Sequence, residues 1–267
     1  MMKKKHTHTG AHSIDYFAYA SGLNGWNAAF KTVFSMGSLI LCITADHIFV
    51  SLFFILAMSV LIIIPGKLPV HDYLALLCIP VFFMLMSGIT IAFDISLAAR
   101  GDYCWKIGCF FFSVTHASLW YALSLTLRAL GAVSAMYLLT LTTPACEIVS
   151  VLRRLHLPKI FIELMYLIYR FIFILLDAHS RMREAAASRL GFRDFRTSCR
   201  SFGGIAGNLL ICSMRRARVY YDAMLSRCYD GDMRFLEPKK TVRSRHILLA
   251  GAVWLAALLI WLAGKGG

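Results

Sequence analysis

The sequence predicts an all-α integral membrane protein, with about five transmembrane helices and a cytoplasmic module of long helices. Three observations carry that prediction: hydrophobic residues make up 59% of the 267-residue chain, apolar stretches of spanning length recur along it, and most of the charge gathers in one basic block. A mean hydropathy of +0.67 exceeds what a soluble core of this size uses, so lipid is the solvent for much of the chain. On such a chain an excess of 28 Lys and Arg over 14 acidic residues marks a large cytoplasmic face and not a nucleic-acid partner.

Residues 1–28 read as a cytoplasmic, amphipathic amino-terminal segment. The basic run MMKKKH is followed by polar HTHTGAHSID where a secretory signal peptide would have its apolar core, so the first span serves as the insertion signal. A span needs about 20 mostly apolar residues to cover about 30 Å. Residues 29–143 supply four of them. These are Phe30 to Thr44, extensible at its amino end; His47 to Pro65, after a tight turn at Ala45-Asp46; Tyr73 to Phe93, after PGKLPVHD; and Ser118 to Thr142, which contains Arg128. Residues 246–267 hold the last, Ile247 to Ala263. The apolar stretch Ile160 to Leu176, interrupted by Glu163 and Arg170, is excluded as a span by charge. Pro144 to Arg245 contains 19 of the 28 basic residues and 9 of the 14 acids, a net +10, and flanks so charged stay cytoplasmic. With a basic amino terminus on the same side, an even number of spans must precede that block.

Residues 144–245 therefore form the cytoplasmic helical module. TTPACEIVSVLRRL places Thr143 at an N-cap, Pro144 at the first helical position, Glu147 in the first turn, and Arg153 and Arg154 at the carbonyl end, matching the helix dipole. A second helix starts after Pro158 and runs unbroken from Lys159 to about Leu190, a rod of about 48 Å with Phe161, Leu164, Ile168, Phe171 and Leu175 on its apolar face. A third runs from about Gly207 to Tyr229, after a Gly203-Gly204 break that lets the chain turn. Both long helices end alike: AAASRLGF (185–192) and AMLSRCYDG (223–231) share a Ser-Arg core 38 positions apart. The nearby small residues Ala186, Ala187, Gly191, Ala223 and Gly231 permit close approach, and an arginine fork suits carboxylates or helix-end carbonyls of a partner. Two such tips suit two similar sockets; ordinary solvated helix ends are the alternative reading of so short a pattern.

Other side chains carry weaker signals. Arg128 is costly in lipid and must face protein, water or a headgroup, as a structural contact or as part of an ion path; the structural role is favoured. His6, His8 and His12 form an HxHxxxH cluster without an interleaved carboxylate or thiol, a weak and unselective metal ligand set. No metal site is assigned. Cys104 and Cys109 share a loop on the outer side where a disulfide is conceivable. The pairs Asp177/His179 and His71/Asp72 lack the third member of a catalytic constellation.

From LTTPACEIVSVLRRLHLPKIFIELMYLIYRFIFILLDAHSRMREAAASRLGFRDF through YYDAMLSRCYDG the chain resembles the transmembrane (T) component of energy-coupling factor transporters, in its cobalt-type CbiQ group. The front end, IDYFAYASGLNGWNAAFKTVFS, is similar to that group's amphipathic lead-in, with an Asp near its start and a Lys just ahead of the first span, so the resemblance covers nearly the full length. In that family a paired Ala-Arg-Gly motif ends two coupling helices, each seated in a groove of one ABC-type ATPase subunit. The equivalents here are Ser188-Arg189-Leu190 and Ser226-Arg227-Cys228. Both arginines are kept, Ser replaces Ala, Leu or Cys replaces Gly, and the glycines are displaced to Gly191 and Gly231.

The resemblance implies a non-catalytic subunit in a bacterial or archaeal cell membrane. Its partners would be two ABC-type ATPase subunits, which use ATP and Mg, and a separate substrate-binding membrane (S) subunit; this chain itself would bind no cofactor. Cobalt is the implied cargo, with nickel or a vitamin as alternatives set by the S subunit. A self-sufficient carrier or membrane enzyme is the competing reading from another class. Against it, the sequence has no GxxxxGK[ST] phosphate loop, no catalytic constellation and few ionisable groups within its spans.

Overall fold

The computed structural model describes residues 10–92, 94–96, 103–107, 110–114, 116–155, 157–231 and 240–265. In chain order they form α1 (Gly10–Ala20), a 3-10 turn (Gly22–Gly25), α2 (Ala28–Thr44), α3 (Ile48–Ile63), α4 (Val70–Ala92), β1 (Asp94–Ser96), β2 (Tyr103–Ile107), β3 (Phe110–Val114), α5 (His116–Thr142), α6 (Ala145–Arg154), α7 (Lys159–Ser188), α8 (Phe195–Leu225) and α9 (Ser244–Lys265). Two units divide the chain: Met1–Ile148 with Lys239–Gly267, and Val149–Pro238.

The first unit is a multi-pass membrane bundle. Within α4, α5 and α9 the segments Val70–Ile91, Ser118–Thr142 and Ser244–Gly264 are long and apolar enough to cross a membrane. α2 and α3 are equally apolar but stop at 17 and 16 residues, about 25 Å each, because Asn27 caps the start of α2 (Oδ1 accepts from Ala29 N–H, 2.9 Å) and the polar turn at Ala45, Asp46 and His47 ends it. Asp46 holds that turn in a left-handed conformation, φ 46°. The core lies where α3 meets α2 and α5: Val50, Phe54, Met58 and Ile62 of α3 are fully buried, with Cys42 from α2 and Ala135, Leu138 and Leu141 from α5. Small and hydroxyl residues draw the backbones together. Ser35 Oγ donates to the carbonyl of Ala135, and a Cβ at Gly131 would stand 2.6 Å from Cys42 Sγ, so only glycine fits there. Trp254 ties in α9 by donating Nε1–H to Ser38 Oγ at 3.0 Å.

Lys31 lies inside the first turn of α2 rather than ahead of it, and it is buried, its ammonium donating to the carbonyls of Thr142 (2.7 Å) and Leu23 (3.3 Å). Arg128 forms its ion pair with Asp46 at the α2–α3 turn, which gives the structural contact a named partner. The helical reading misses one feature. The segment between α4 and α5 holds a small antiparallel sheet of order β1-β3-β2, with Asp94 opposite Ser113 and Tyr103 opposite Val114. YCWKI and FFFSV are rich in aromatic and β-branched residues, which favour pleated structure over helix. Cys109, the side chain of Cys104, His6, His8 and the side chain of His12 lie outside the described residues, and so do the disulfide and the histidine cluster.

At the α5–α6 junction Thr143 is not an N-cap. The carbonyl of Pro144 accepts from Glu147 (3.0 Å) and Ile148 (3.3 Å), and Thr143 Oγ1 is buried without a hydrogen-bond partner among the described residues. The second unit contains the long helices. α7 matches the rod expected from Lys159. The third helix differs from expectation: α8 runs unbroken from Phe195 through Gly203, Gly204 and Gly207. The turn lies earlier, where Asp194 and Thr197 form a capping box, and that box starts the helix before the glycines are reached. Among the described residues, and apart from the helix's own neighbouring backbone, no atom lies within 4 Å of a Cβ built on any of the three glycines, so packing there does not require them.

Candidate functional site

Each Ser-Arg core sits at the carboxyl end of a long helix, and the two ends have the same backbone. At the end of α7, the amide of Gly191 donates to the carbonyl of Ala186 (2.8 Å) and that of Leu190 to Ala187 (3.1 Å). At the end of α8, Tyr229 donates to Met224 (3.2 Å) and Cys228 to Leu225 (3.0 Å). This double bond pattern is the Schellman motif, which satisfies orphan carbonyls and requires a left-handed residue just past the cap. Leu190 and Cys228 supply it, each with φ 58°. The positions that hold Leu and Cys in place of the expected glycine therefore keep a glycine-like backbone; Arg189 is the C-cap of α7 and Arg227 follows the Ser226 C-cap of α8, each directly before the left-handed residue.

The match extends to the side chains. Ser188 Oγ donates to the carbonyl of Glu184 and Ser226 Oγ to that of Asp222, both at 2.9 Å. The repeat is thus longer than its Ser-Arg core: acid, Ala, two further residues, Ser, Arg, in 184–189 and again in 222–227. Arg189 and Arg227 are exposed, and neither has an acidic partner among the described residues. The small neighbours are unequal. Ala186 and Ala187 flank the first tip, whereas Met224 and Leu225 hold the corresponding places at the second, beyond Ala223. Gly231, φ 90°, follows four residues after Arg227.

Each tip is latched by the other helix. Ser201 of α8 donates its hydroxyl to the carbonyl of Gly191 at 2.7 Å, an approach so close that a Cβ on Gly191 would stand 2.6 Å from the same oxygen. Tyr229 donates its hydroxyl to Glu163 Oε2 at 2.8 Å, and that bond, ahead of partial burial, holds Tyr229 above the usual tyrosine range. Between the latches, Arg170 donates to the hydroxyl of Tyr220 at 2.6 Å, and Phe171 meets the Tyr220 ring edge-on at 5.6 Å. The pairs Glu163–Tyr229 and Arg170–Tyr220 run in opposite senses along the two chains, so α7 and α8 are antiparallel. The second tip therefore lies beside the first turns of α7 and the first tip at its far end. The 26 positions from Glu163 to Arg189 span about 39 Å at 1.5 Å per residue. Two matching arginine tips stand at opposite ends of one hairpin, an arrangement that reading each helix by itself did not reveal.

The outer faces of this hairpin are apolar and open. Phe161, Leu164 and Ile168 of α7 and Leu210, Ile211 and Met214 of α8 are all at least half exposed. Among the described residues no group of three metal-ligating side chains comes together. The geometry suits mechanical contact at two points and apolar contact along a face.

Comparison with known proteins gives a consistent picture. A family model described as cobalt transport protein, CbiQ, matches residues 20–237. An uncharacterized protein of Methanocaldococcus jannaschii is 30% identical over 238 residues, 88% of this chain and 87% of that protein. A putative fused cobalt transport protein, CbiMQ, of Methanocorpusculum labreanum is 32% identical over 262 residues, 97% of this chain but 43% of that longer one. The cobalt transport protein CbiQ of Salmonella typhimurium is 31% identical over 157 residues, 58% of this chain and 70% of that protein.

Proposed function

The chain belongs to the CbiQ family of cobalt transport proteins, and from that premise we propose that it is the transmembrane coupling subunit of an ATP-driven, energy-coupling-factor importer for cobalt. The observation that carries this reading is the pair of helix ends with the same backbone hydrogen bonds and an arginine before a left-handed residue, about 39 Å apart at opposite ends of one hairpin. A pair of ATPase subunits offers two like sockets set apart, and two like tips answer them. The arginines would dock without touching nucleotide, hydrolysis would belong to the partners, and this chain would be non-catalytic. The apolar faces of α7 and α8 would meet a substrate-binding membrane subunit, which sets the cargo; nickel or a vitamin would follow from a different subunit there. That the Methanocorpusculum labreanum relative is named as a fusion, and is more than twice the length matched here, fits a family whose members work with a second membrane component.

Co-purification tests the reading. The tagged chain is expressed with its ATPase subunits, as wild type and as Arg189→Glu with Arg227→Glu, and the ATPase retained in detergent is quantified after membrane insertion of both forms has been checked. Retention by wild type and loss by an inserted double variant is the expected result. Full retention by the variant would show that the tips are ordinary helix ends. No retention by wild type would favour a self-sufficient carrier or enzyme.

A further inference from the structure

The chain crosses between the two units only twice, after Ile148 and before Lys239. One residue short of each crossing, on the membrane-unit side, stands a charged side chain. Glu147 precedes the departure and Lys240 follows the return; 93 residues apart in sequence, they form an ion pair at 2.5 Å, with side chains only 16% and 20% exposed. The pair is not isolated. Lys240 Nζ also donates to the carbonyl (2.5 Å) and Oδ1 (2.9 Å) of Asn24, and Asn27 Nδ2 donates to the backbone carbonyl of Lys240 at 2.7 Å. The returning strand is thus gripped by side chain and by backbone. The departing segment, the start of α6, is held just upstream, where buried Lys31 donates to the carbonyl of Thr142, the last residue of α5. Trp26, from the same amino-terminal turn, stacks on His246 at 4.0 Å. Residues 24–31 form a bracket, and both crossings are fixed to it.

Stability alone does not account for this arrangement. Replacing a largely buried ion pair by well-packed apolar residues of the same volume is often neutral or stabilising, so the pair is weak evidence for stability, and the role it leaves open here is to fix one geometry. Here the fixed geometry is the spacing of the two crossings, one within α6 and one ahead of α9, through which any movement of the cytoplasmic helices must pass. The ion pair ties the two together.

Resting on the coupling reading above, we propose that Glu147 and Lys240 are positioning residues for energy coupling, a staple that makes the two crossings a single mechanical link. The test uses the complete complex in proteoliposomes, with uptake of radioactive Co2+ and ATP hydrolysis measured on the same preparation. Glu147→Gln and Lys240→Met are expected to keep the ATPase subunits and hydrolyse ATP at close to the wild-type rate, while Co2+ uptake per ATP falls about fivefold or more, the low end of an ordinary coupling free energy. Lys240→Arg, which keeps the charge and its donors, is expected to restore the ratio. Unchanged uptake per ATP in both charge-removing variants would overturn the staple. So would a parallel fall of uptake and hydrolysis, which would mean that the pair merely supports the fold. A wild-type complex that fails to hold its ATPase would sink the coupling reading itself, and the staple with it.

Discussion

Leucine at position 190 and cysteine at 228 hold a backbone conformation that costs a non-glycine residue about 1 kcal/mol or more, because Cβ crowds the following carbonyl. Both keep it because the Schellman bonds at each helix end demand it. Leu190→Gly and Cys228→Gly should therefore stabilise the protein, by up to about 1 kcal/mol each, and Leu190→Val should destabilise it, since a β-branched residue is worse at positive φ. Thermal unfolding in detergent reads this directly, and a loss of stability on introducing glycine would show that the left-handed geometry is not what these positions maintain. The Ser-Arg cores and their flanking small residues were legible in the sequence. The left-handed residues were not, because glycine is the signal for that conformation and it is missing from both places. The latches from Ser201 and Glu163 join residues 10 and 66 positions from their partners, beyond the reach of any local pattern.

At the scale of elements, helices set by long periodic patterns were read to within a few residues, as α7 and the spans in α4, α5 and α9 show. The errors arose where one local signal was weighed against another. Gly203-Gly204 reads as a break, yet a glycine inside a helix costs only about 1 kcal/mol relative to alanine, and the capping box of Asp194 and Thr197 with the long apolar and basic run beyond outweighs two of them. The aromatic strands between α4 and α5 were absorbed into the apolar background of a membrane protein, where hydropathy masks alternation. Gly203→Ala and Gly204→Ala follow as a test of the continuous helix. With open space around both positions, each should raise stability by about 0.5–1 kcal/mol in denaturant or thermal unfolding. Were the chain to turn there, both would destabilise it instead.

The membrane unit has two faces, and its contacts assign the helix ends to them. The 3-10 turn meets the α3–α4 loop through Gly22 N–H to Gly66 carbonyl at 3.2 Å, and the same amino-terminal segment binds Thr142 through Lys31 and Lys240 through Asn24 and Asn27. Residues 22–31, the loop after α3, the end of α5 and the segment just ahead of α9 thus share one face of the membrane unit. The opposite face has the Asp46 turn, with His47 packed against Gly264 near the end of α9. Such alternation is what α2, α3, α4, α5 and α9 crossing in turn would produce, and the charge rule then predicts the basic residues of the second unit on the cytoplasmic side. Native thiols can test this. Cys199 and Cys228 are exposed in the second unit, and Cys228 directly follows the second tip arginine. A membrane-impermeant maleimide, with labelled sites mapped by peptide, should leave both unmodified in intact cells and modify both in inside-out vesicles. Adding the ATPase subunits to those vesicles should slow labelling of Cys228, because a docked tip buries its neighbour, and Cys228→Ser removes the protected site as a control. Labelling from outside the cell would reverse the orientation; labelling from inside with no protection at Cys228 would keep the orientation and move the docking surface off the second tip.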